Sequence, residues 1–468
     1  MWKATTRAVS TPSLVLMLTL STFSRAFASS TARCVIAGGK AHLFKKQASP
    51  IVYTKAIGKV EGGKPLAGDV VDVVDGVGAL IGWGVFNPHS MYRVRLLATT
   101  ERELLSHRDV GAVLRHRLAA AAQLRAACGL PSAETTAYRL VNSEGDRISG
   151  LTVDVFGGTA VAVTSALWIE QWRDEVVKAL AELPSVTEVV WRRSDGRLQQ
   201  DGWDAERERL DAAQAVREAE GAAALDAGGE HSRVQPEQVE VIESGMKYLV
   251  SPARGQKSGF YCDQRDNRRL LAEVCAGKTV LDLFCYSGGF ALSAARAGAR
   301  LCVGVDSSAF ALELARQNAD LNGYSDKIDF VQADVHRFLK APHGSGGDPE
   351  RQGGKSDGGG VSEPFDVVIC DPPKLAPSVK DLPRALRKYR ELNGGAIRAT
   401  KPGGLLLSCT CSAAMTQSGG FVKMLHEAAQ AEGRTITILR VSGAAADHVI
   451  HPGAPESEYL TAVLAHVA

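Results

Sequence analysis

The sequence predicts an α/β protein: a doubly wound, parallel sheet fills the C-terminal half, behind a small N-terminal β-barrel and a middle α+β domain. Three observations carry this. From Val239 onward, apolar segments that end in acids alternate with helical segments, the pattern of parallel strands joined by crossover helices. Residues 41–98 are rich in Val and Gly with period-two alternation, as in Asp69-Val-Val-Asp-Val-Val-Asp75 and Met91-Tyr-Arg-Val-Arg-Leu-Leu97. A length of 468 residues allows about three domains, each able to bury a core.

Composition excludes several classes. Hydrophobic residues at 45% and charged residues at 23% rule out a wholly disordered or fibrous chain. With Lys+Arg at 54 against Asp+Glu at 52, the chain is not a bulk polycation, so a nucleic-acid partner must be held by local basic surfaces. The nine cysteines include no Cys-x-x-Cys pair, and Cys409-x-Cys411 has no second pair to complete a zinc site. No metal is expected, and the thiols read as reduced.

The first element is a leader. No acid precedes Glu61, whereas Lys3, Arg7, Arg25, Arg33, Lys40, Lys45 and Lys46 do. Leu14–Leu20 is apolar but far short of the roughly 20 residues that span a bilayer, and Ala26-Phe27-Ala28 places small residues where a signal peptidase reads. Residues 1–39 therefore read as a targeting leader, similar to the two-part plastid leaders of algae with secondary plastids. An organelle is expected, plastid ahead of mitochondrion, with no stable membrane association once the leader is gone.

Residues 40–100 form the predicted barrel, with turns at Gly62-Gly63 and Asp75-Gly76. The middle domain, 101–240, opens with a helix over 101–129, where Leu104, Leu105, Val110, Val113, Leu114 and Leu118 recur at helical spacing. Strands follow at 150–156, 160–164 and 187–191, with a helix over 168–183. Residues 197–235 are charged and Ala-rich, a solvated insertion. Residues 341–363 are Gly/Ser low complexity and read as a flexible loop.

The C-terminal domain, 241–468, carries the chemistry. Its predicted strands run at 278–284, 301–306, 328–334, 365–371 and 404–409. The turn after the first lacks Gly-x-Gly-x-x-Gly, so a dinucleotide pyrophosphate cradle is missing. What remains is Asp282, a Gly288-Gly289 turn, Asp306 at the end of the second strand and Asp334 at the end of the third. Asp306 is placed to grip ribose hydroxyls, and Asp334 an adenine amino group. A phosphate-free nucleoside with a cationic head fits S-adenosylmethionine. Phe284, Tyr286, Ser307, Val335 and Asp371 flank these landmarks and complete the expected donor-binding set. One acid at a strand end is usually only a turn or cap residue; the ordered series is the signal.

From about Lys40 to its end the chain resembles the bacterial large-subunit rRNA cytosine-C5 methyltransferases of the RlmI type. The matching stretches are Tyr138-Arg-Leu-Val141, Gly150–Asp154, Arg193-Ser-Asp195, Gly255–Arg268, Leu281–Phe290, Asp371-Pro-Pro-Lys374, Tyr389-x-x-Leu-Asn393, Thr410-Cys-Ser412 and Ala446-Asp-His448. The resemblance implies a PUA-like RNA-binding domain, a middle α+β domain, a class I methyltransferase domain of Rossmann-like topology and an RNA partner, large-subunit rRNA. Departures are the leader, the two insertions, Leu375 in place of Phe, and Ser49-Pro-Ile-Val-Tyr53 where the family has a His-Pro-Trp-Val-Phe type sequence.

Carbon 5 of a cytosine is too weak a nucleophile to attack a sulfonium methyl. A thiolate that adds to carbon 6 activates it, and a base must then remove the carbon-5 proton. Cys411 is the family's cysteine and the expected nucleophile; Cys409, two residues earlier, is the rival and reads as core. Asp371 is expected to hydrogen-bond the flipped base, with Pro372 and Pro373 as a rigid platform. Gln264, Arg265, Lys374 and Lys388 are candidate RNA contacts, as are Lys45 and Lys46 in the barrel. Two alternatives stand beside this reading: nitrogen methylation on the same fold, and a non-catalytic RNA-binding assembly factor.

Overall fold

The computed structural model describes residues 32–99, 108–204, 238–252, 259–340 and 363–468. The N-terminal unit is a six-stranded sheet of β1 (Arg33–Ile36), β2 (Ile51–Tyr53), β3 (Ile57–Glu61), β4 (Val70–Val74), β5 (Leu80–Phe86) and β6 (Tyr92–Ala98), in the order β2-β6-β5-β4-β1-β3, with the one-turn helix α1 (His42–Lys45) between β1 and β2. The expected boundary at 39/40 is corrected. β1 pairs with β3 and with β4, and Cys34 is fully buried among Val52, Val71, Val73 and Val94. Any leader therefore ends before Ala32. Basic, acid-free composition hid a strand whose alternation is only four residues long.

Helix α2 (Val110–Ala127) is capped by Asp109, whose side chain accepts from Ala112 N at 2.9 Å; Leu104 and Leu105 lie outside the described residues. The middle sheet runs β10-β9-β8-β7, from β7 (Ala137–Asn142), β8 (Leu151–Phe156), β9 (Thr159–Thr164) and β10 (Glu188–Arg193). The single helix expected over 168–183 is two, α3 (Leu167–Gln171) and α4 (Arg173–Ala181), broken at Trp172. Val113, Leu114 and Leu118 of α2 share a core with Trp83 and Leu97 of the first sheet and with Leu140, Val153 and Val161's neighbour Ala162 of the second, so barrel and middle domain pack as one body.

The charged insertion starts later than residue 197. Helix α5 (Asp195–Gln200) buries Leu198 completely, and Asp201 takes Arg95 of β6 at 3.1 Å with both side chains buried. A charge run can be folded when its acid meets a buried arginine. Residues 205–237 and the low-complexity 341–362 lie outside the described residues.

After the hairpin β11 (Val239–Glu243) and β12 (Met246–Val250) and helix α6 (Arg265–Ala272), a seven-stranded sheet takes over. Its elements are β13 (Thr279–Leu283), α7 (Gly289–Arg296), β14 (Leu301–Asp306), α8 (Ala309–Asn322), β15 (Ile328–Gln332), α9 (Val335–Lys340), β16 (Phe365–Cys370), α10 (Leu382–Ala399), β17 (Thr400–Thr410), α11 (Ala413–Ser418), α12 (Phe421–Ala431), β18 (Ile436–Ser442) and β19 (Thr461–Val467). The order is β15-β14-β13-β16-β17-β19-β18; β13 and β16 are parallel, and the order in which strands are added reverses between them. One correction applies to the parallel sheet: β19 runs antiparallel to both β17 and β18.

Both faces are buried, as period-two alternation requires. Val280, Ile369, Leu407 and Cys409 face one core with Phe290, Ala291 and Ala294 of α7. Leu281, Leu283, Val368, Cys370 and Leu406 face the other with Leu392, Ala396 and Ile397 of α10 and Ala428 of α12.

Candidate active site

The alternation that buries the sheet also aims its chemistry. Asp282 follows Val280 on β13, Asp371 follows Ile369 past β16, and Cys411 follows Cys409 past β17, so all three continue the same face at the carboxyl ends of adjacent strands. Register agrees: Asp282 lies opposite Ile369 and Cys370 opposite Ser408, which brings Asp371 beside Cys409 by one more step. Open α/β sheets bind their ligands at this edge, where the strand order reverses.

The donor side is built on the loop after β13. Phe284 (φ 64°) and Tyr286 (φ 48°) both hold left-handed backbone. Such conformations cost about 1–3 kcal/mol each and persist where surroundings impose them. Asp306 imposes this one: Oδ2 accepts from Tyr286 N at 3.0 Å and Oδ1 from Ser308 N at 2.9 Å. Ser307 beside it is exposed. Gly288, at φ 82°, opens α7; a Cβ there would sit 3.2 Å from the Phe330 ring. Gly289 has the Arg268 side chain 3.2 Å from where its Cβ would be. Gly288 is favoured by its left-handed backbone, and at both positions a Cβ would press on a neighbouring side chain.

Asp282 is 1% exposed; Oδ2 accepts from Ala291 N at 3.0 Å, while Oδ1 is buried with no hydrogen-bond partner in the protein. Burial pushes its carboxyl up to about 8, with Asp371 and Asp306 adding to the rise against the bond from Ala291. An orphaned buried carboxylate oxygen beside a glycine turn is what a cationic ligand would complete. The residues present fit S-adenosylmethionine: Asp282 for the cationic end, Asp306 for the ribose, Gly288 and Gly289 for close approach.

Asp334 is exposed and caps α9, accepting from Arg337 N at 2.9 Å on one oxygen and leaving the other for an adenine. Val335 is corrected in part. Its side chain is 3% exposed and packs among Leu281, Leu283 and Phe338, so it offers a ligand only the N–H of a helix's first turn.

On the acceptor side, Asp371 is half-buried and Cys411 half-buried, whereas Cys409 is fully buried and its thiol is pushed well above the usual range by burial. That separates the two cysteines: Cys409 is core and Cys411 is the one at the mouth. Pro372 is buried while Pro373 and Lys374 are exposed, as a platform with an outward edge requires. Ser412 ties the two loops together, its Oγ accepting from Ala376 N at 3.1 Å. Tyr389 of α10 hydrogen-bonds Thr410 Oγ1 at 2.7 Å and Ser412 Oγ at 3.0 Å, gripping Cys411 from both sides. Asn393, one turn on, accepts from Ser408 Oγ at 2.6 Å. The sequence marked Tyr389 and Asn393 only as matching residues; their bracing role follows from α10 lying under β17.

Three expected RNA contacts are corrected. Gln264 is 3% exposed and spends its amide inside: Nε2 donates to Asp371 Oδ2 at 3.0 Å and Oε1 accepts from Asn267 at 2.6 Å. It positions Asp371. Arg265 is 6% exposed and forms a bidentate pair with Asp447, at 3.0 and 2.9 Å. Lys45 is held by Asp75. Lys46 and Lys388 are exposed, while Arg390 and Arg398 of α10 pair with Glu427 of α12 and with Glu432 just beyond its end.

A seven-stranded sheet of this order, with an acid-lined donor crevice and a glycine turn, defines the S-adenosylmethionine-dependent methyltransferases. The model of that family matches residues 199–440, and a PUA-like domain model matches residues 43–99. Among solved structures, a SAM-dependent methyltransferase of Streptococcus mutans superposes with TM-score 0.70 over 93% of this chain and 99% of that one, at 20% identity. A methyltransferase crystallised with S-adenosylhomocysteine gives TM-score 0.71 over the same shares at 21% identity. These show the fold.

Sequence relatives narrow the class to a family. "Ribosomal RNA large subunit methyltransferase I" of Shewanella denitrificans is 34% identical over 420 residues, 89% of this chain and 95% of that one. The protein of the same name from Photobacterium profundum is 34% identical over the same shares. The chain belongs to this family of S-adenosylmethionine-dependent methyltransferases with a PUA-like domain.

Proposed function

We propose that the protein methylates carbon 5 of a cytosine in organellar large-subunit rRNA through a covalent adduct with Cys411. The observation that carries this is the shared face of Asp282, Asp371 and Cys411 at the ends of three adjacent strands, with the competing thiol of Cys409 sealed in the core. The relatives' name supports the RNA class, and the acid-free residues ahead of β1 support import.

S-adenosylmethionine supplies the methyl group. The Cys411 thiolate adds to carbon 6 and the electron pair of the 5,6 double bond moves to carbon 5, which takes the methyl as the S–CH3 bond breaks and its electron pair stays on the sulfur of S-adenosylhomocysteine. Asp371, held by Gln264 at 3.0 Å, hydrogen-bonds the flipped base and helps to remove the carbon-5 proton. That electron pair re-forms the double bond as the thiolate leaves.

RNA carrying 5-fluorocytosine tests the mechanism, since fluorine at carbon 5 cannot leave as a proton does. The parent chain and Cys409→Ala should form a denaturant-resistant adduct, and Cys411→Ala should form none and transfer no methyl. Methylation without an adduct would establish nitrogen chemistry, and RNA binding with neither would establish an assembly factor. Import is tested by fusing residues 1–60 ahead of a fluorescent protein; cytosolic or secreted fluorescence would overturn it.

A further inference from the structure

β10 is an edge strand, paired among the described residues only with β9. Its last three residues are Trp191, Arg192 and Arg193. Glu170 accepts from Trp191 Nε1 at 3.0 Å on one oxygen and from Arg193 Nε at 2.7 Å on the other, so the indole and the guanidinium stand side by side. Arg173, exposed at the start of α4, lies 5.8 Å from the Trp191 ring centroid, and Arg193 lies 5.2 Å from that of Trp203. Arg192, the residue between Trp191 and Arg193, donates to Pro252 O at 3.2 Å.

Arg173, Trp191, Arg192, Arg193 and Asp195 line an open cleft of about 390 Å³. We infer that this cleft, formed by Arg173, Trp191, Arg192 and Arg193, holds the single-stranded RNA next to the target base, with phosphates on the arginines and a neighbouring base against the Trp191 indole. Interleaved guanidinium and aromatic groups are what a single strand needs, since phosphates and bases alternate along it. A small anion would have no use for the indole, and an apolar peptide none for three arginines. The inference rests on the RNA reading above and adds the surface that presents the strand.

The probe is a fluorescein-labelled oligocytidylate of about twelve nucleotides, within the site size of single-strand binders, titrated by anisotropy at several salt concentrations. R173Q/R192Q should bind it at least tenfold more weakly, with a salt slope shallower by about 1.4, near 0.7 per lost phosphate contact. Trp191→Leu should bind several-fold more weakly with the slope unchanged. S-adenosylmethionine affinity should stay at the parent value in Arg173→Gln and Trp191→Leu.

Because Arg192 also bridges to Pro252, Arg173→Gln alone provides a surface variant that leaves packing intact; it should lose about 0.7 of slope. Parent-like affinity and slope in these variants would overturn the cleft. Displacement of the probe by polyglutamate as readily as by RNA would also overturn it, by placing an acidic protein there. If the parent traps 5-fluorocytosine RNA but ignores these variants, only the cleft fails. Cleft-dependent binding without an adduct defeats only the cysteine mechanism.

Discussion

At the scale of single residues, Asp282 has the most unusual environment in the donor site. Its carboxyl is raised to about 8 by burial, then by Asp371 and Asp306, and the Arg268 guanidinium acts in the opposite direction. Because the folded value lies above the unfolded value of about 4, the native chain holds a proton that the unfolded chain releases between those limits. This group's contribution to stability therefore declines as pH rises through that window. A cation brought to Oδ1 would favour the ionised form, so S-adenosylmethionine binding near pH 7 should release a proton. Affinity should then strengthen up to about pH 8 and level off. Titration calorimetry in phosphate and in Tris gives the proton count from the difference in heat. Asp282→Asn should lose the share that the parent shows beyond the ligand's own amine. Equal buffer dependence in parent and variant would take Asp282 out of contact with the donor.

Among the elements, α10 acts as a brace for β17. Tyr389 is fully buried, and its hydroxyl bridges Thr410 and Ser412, the residues on either side of Cys411. Tyr389→Phe keeps the ring against Phe421 but removes both bonds, costing about 1–2 kcal/mol of stability at roughly 1 kcal/mol per bond. Without the brace the cysteine's loop is less well held, so adduct formation on 5-fluorocytosine RNA should slow severalfold while donor affinity is unchanged. Trapping at the parent rate would reduce Tyr389 to a packing residue. Much of this architecture was legible in the chain. Five apolar strands were readable because parallel strands are continuous hydrophobic runs, and the acids were read from their place at the strand ends, whereas the choice of Cys411 leaned on the family resemblance. β18 was not, since Thr437, Leu439 and Val441 alternate weakly and β18 is an edge; β19 is a buried apolar run like the other five and was missed although it carries the same signal. Arg265 and Gln264 were misplaced for a different reason. A polar residue in a recognisable motif reads as a contact until the carboxylate it pairs with, Asp447 or Asp371, is seen far along the chain.

For the whole molecule, the question is what holds the middle domain against the methyltransferase sheet so that RNA and donor meet at a fixed distance. Asp447 sits at that junction, fully buried. Its Oδ2 accepts from Arg139 N on β7 at 2.8 Å, both oxygens take Arg265 of α6, and its carbonyl accepts from Arg125 of α2 at 2.7 Å. Burial alone would raise this carboxyl, but His448 and then Arg265 outweigh it and hold it well below the usual range. With the folded value below the unfolded one, the stabilisation is complete above about pH 4 and is lost as pH falls towards the folded value, because the unfolded chain then binds the extra proton. Breaking a buried pair of this kind costs about 3–5 kcal/mol, since the partner arginine is left uncompensated. Asp447→Asn should therefore melt well below the parent at pH 7, and the gap should narrow between about pH 5 and about pH 3 as the parent loses what the variant already lacks. Differential scanning calorimetry across that range reads both numbers. A constant gap between the two melting curves would mean that Asp447 does not change protonation between the folded and unfolded chain in this window, and that the junction is held by packing instead of by its charge.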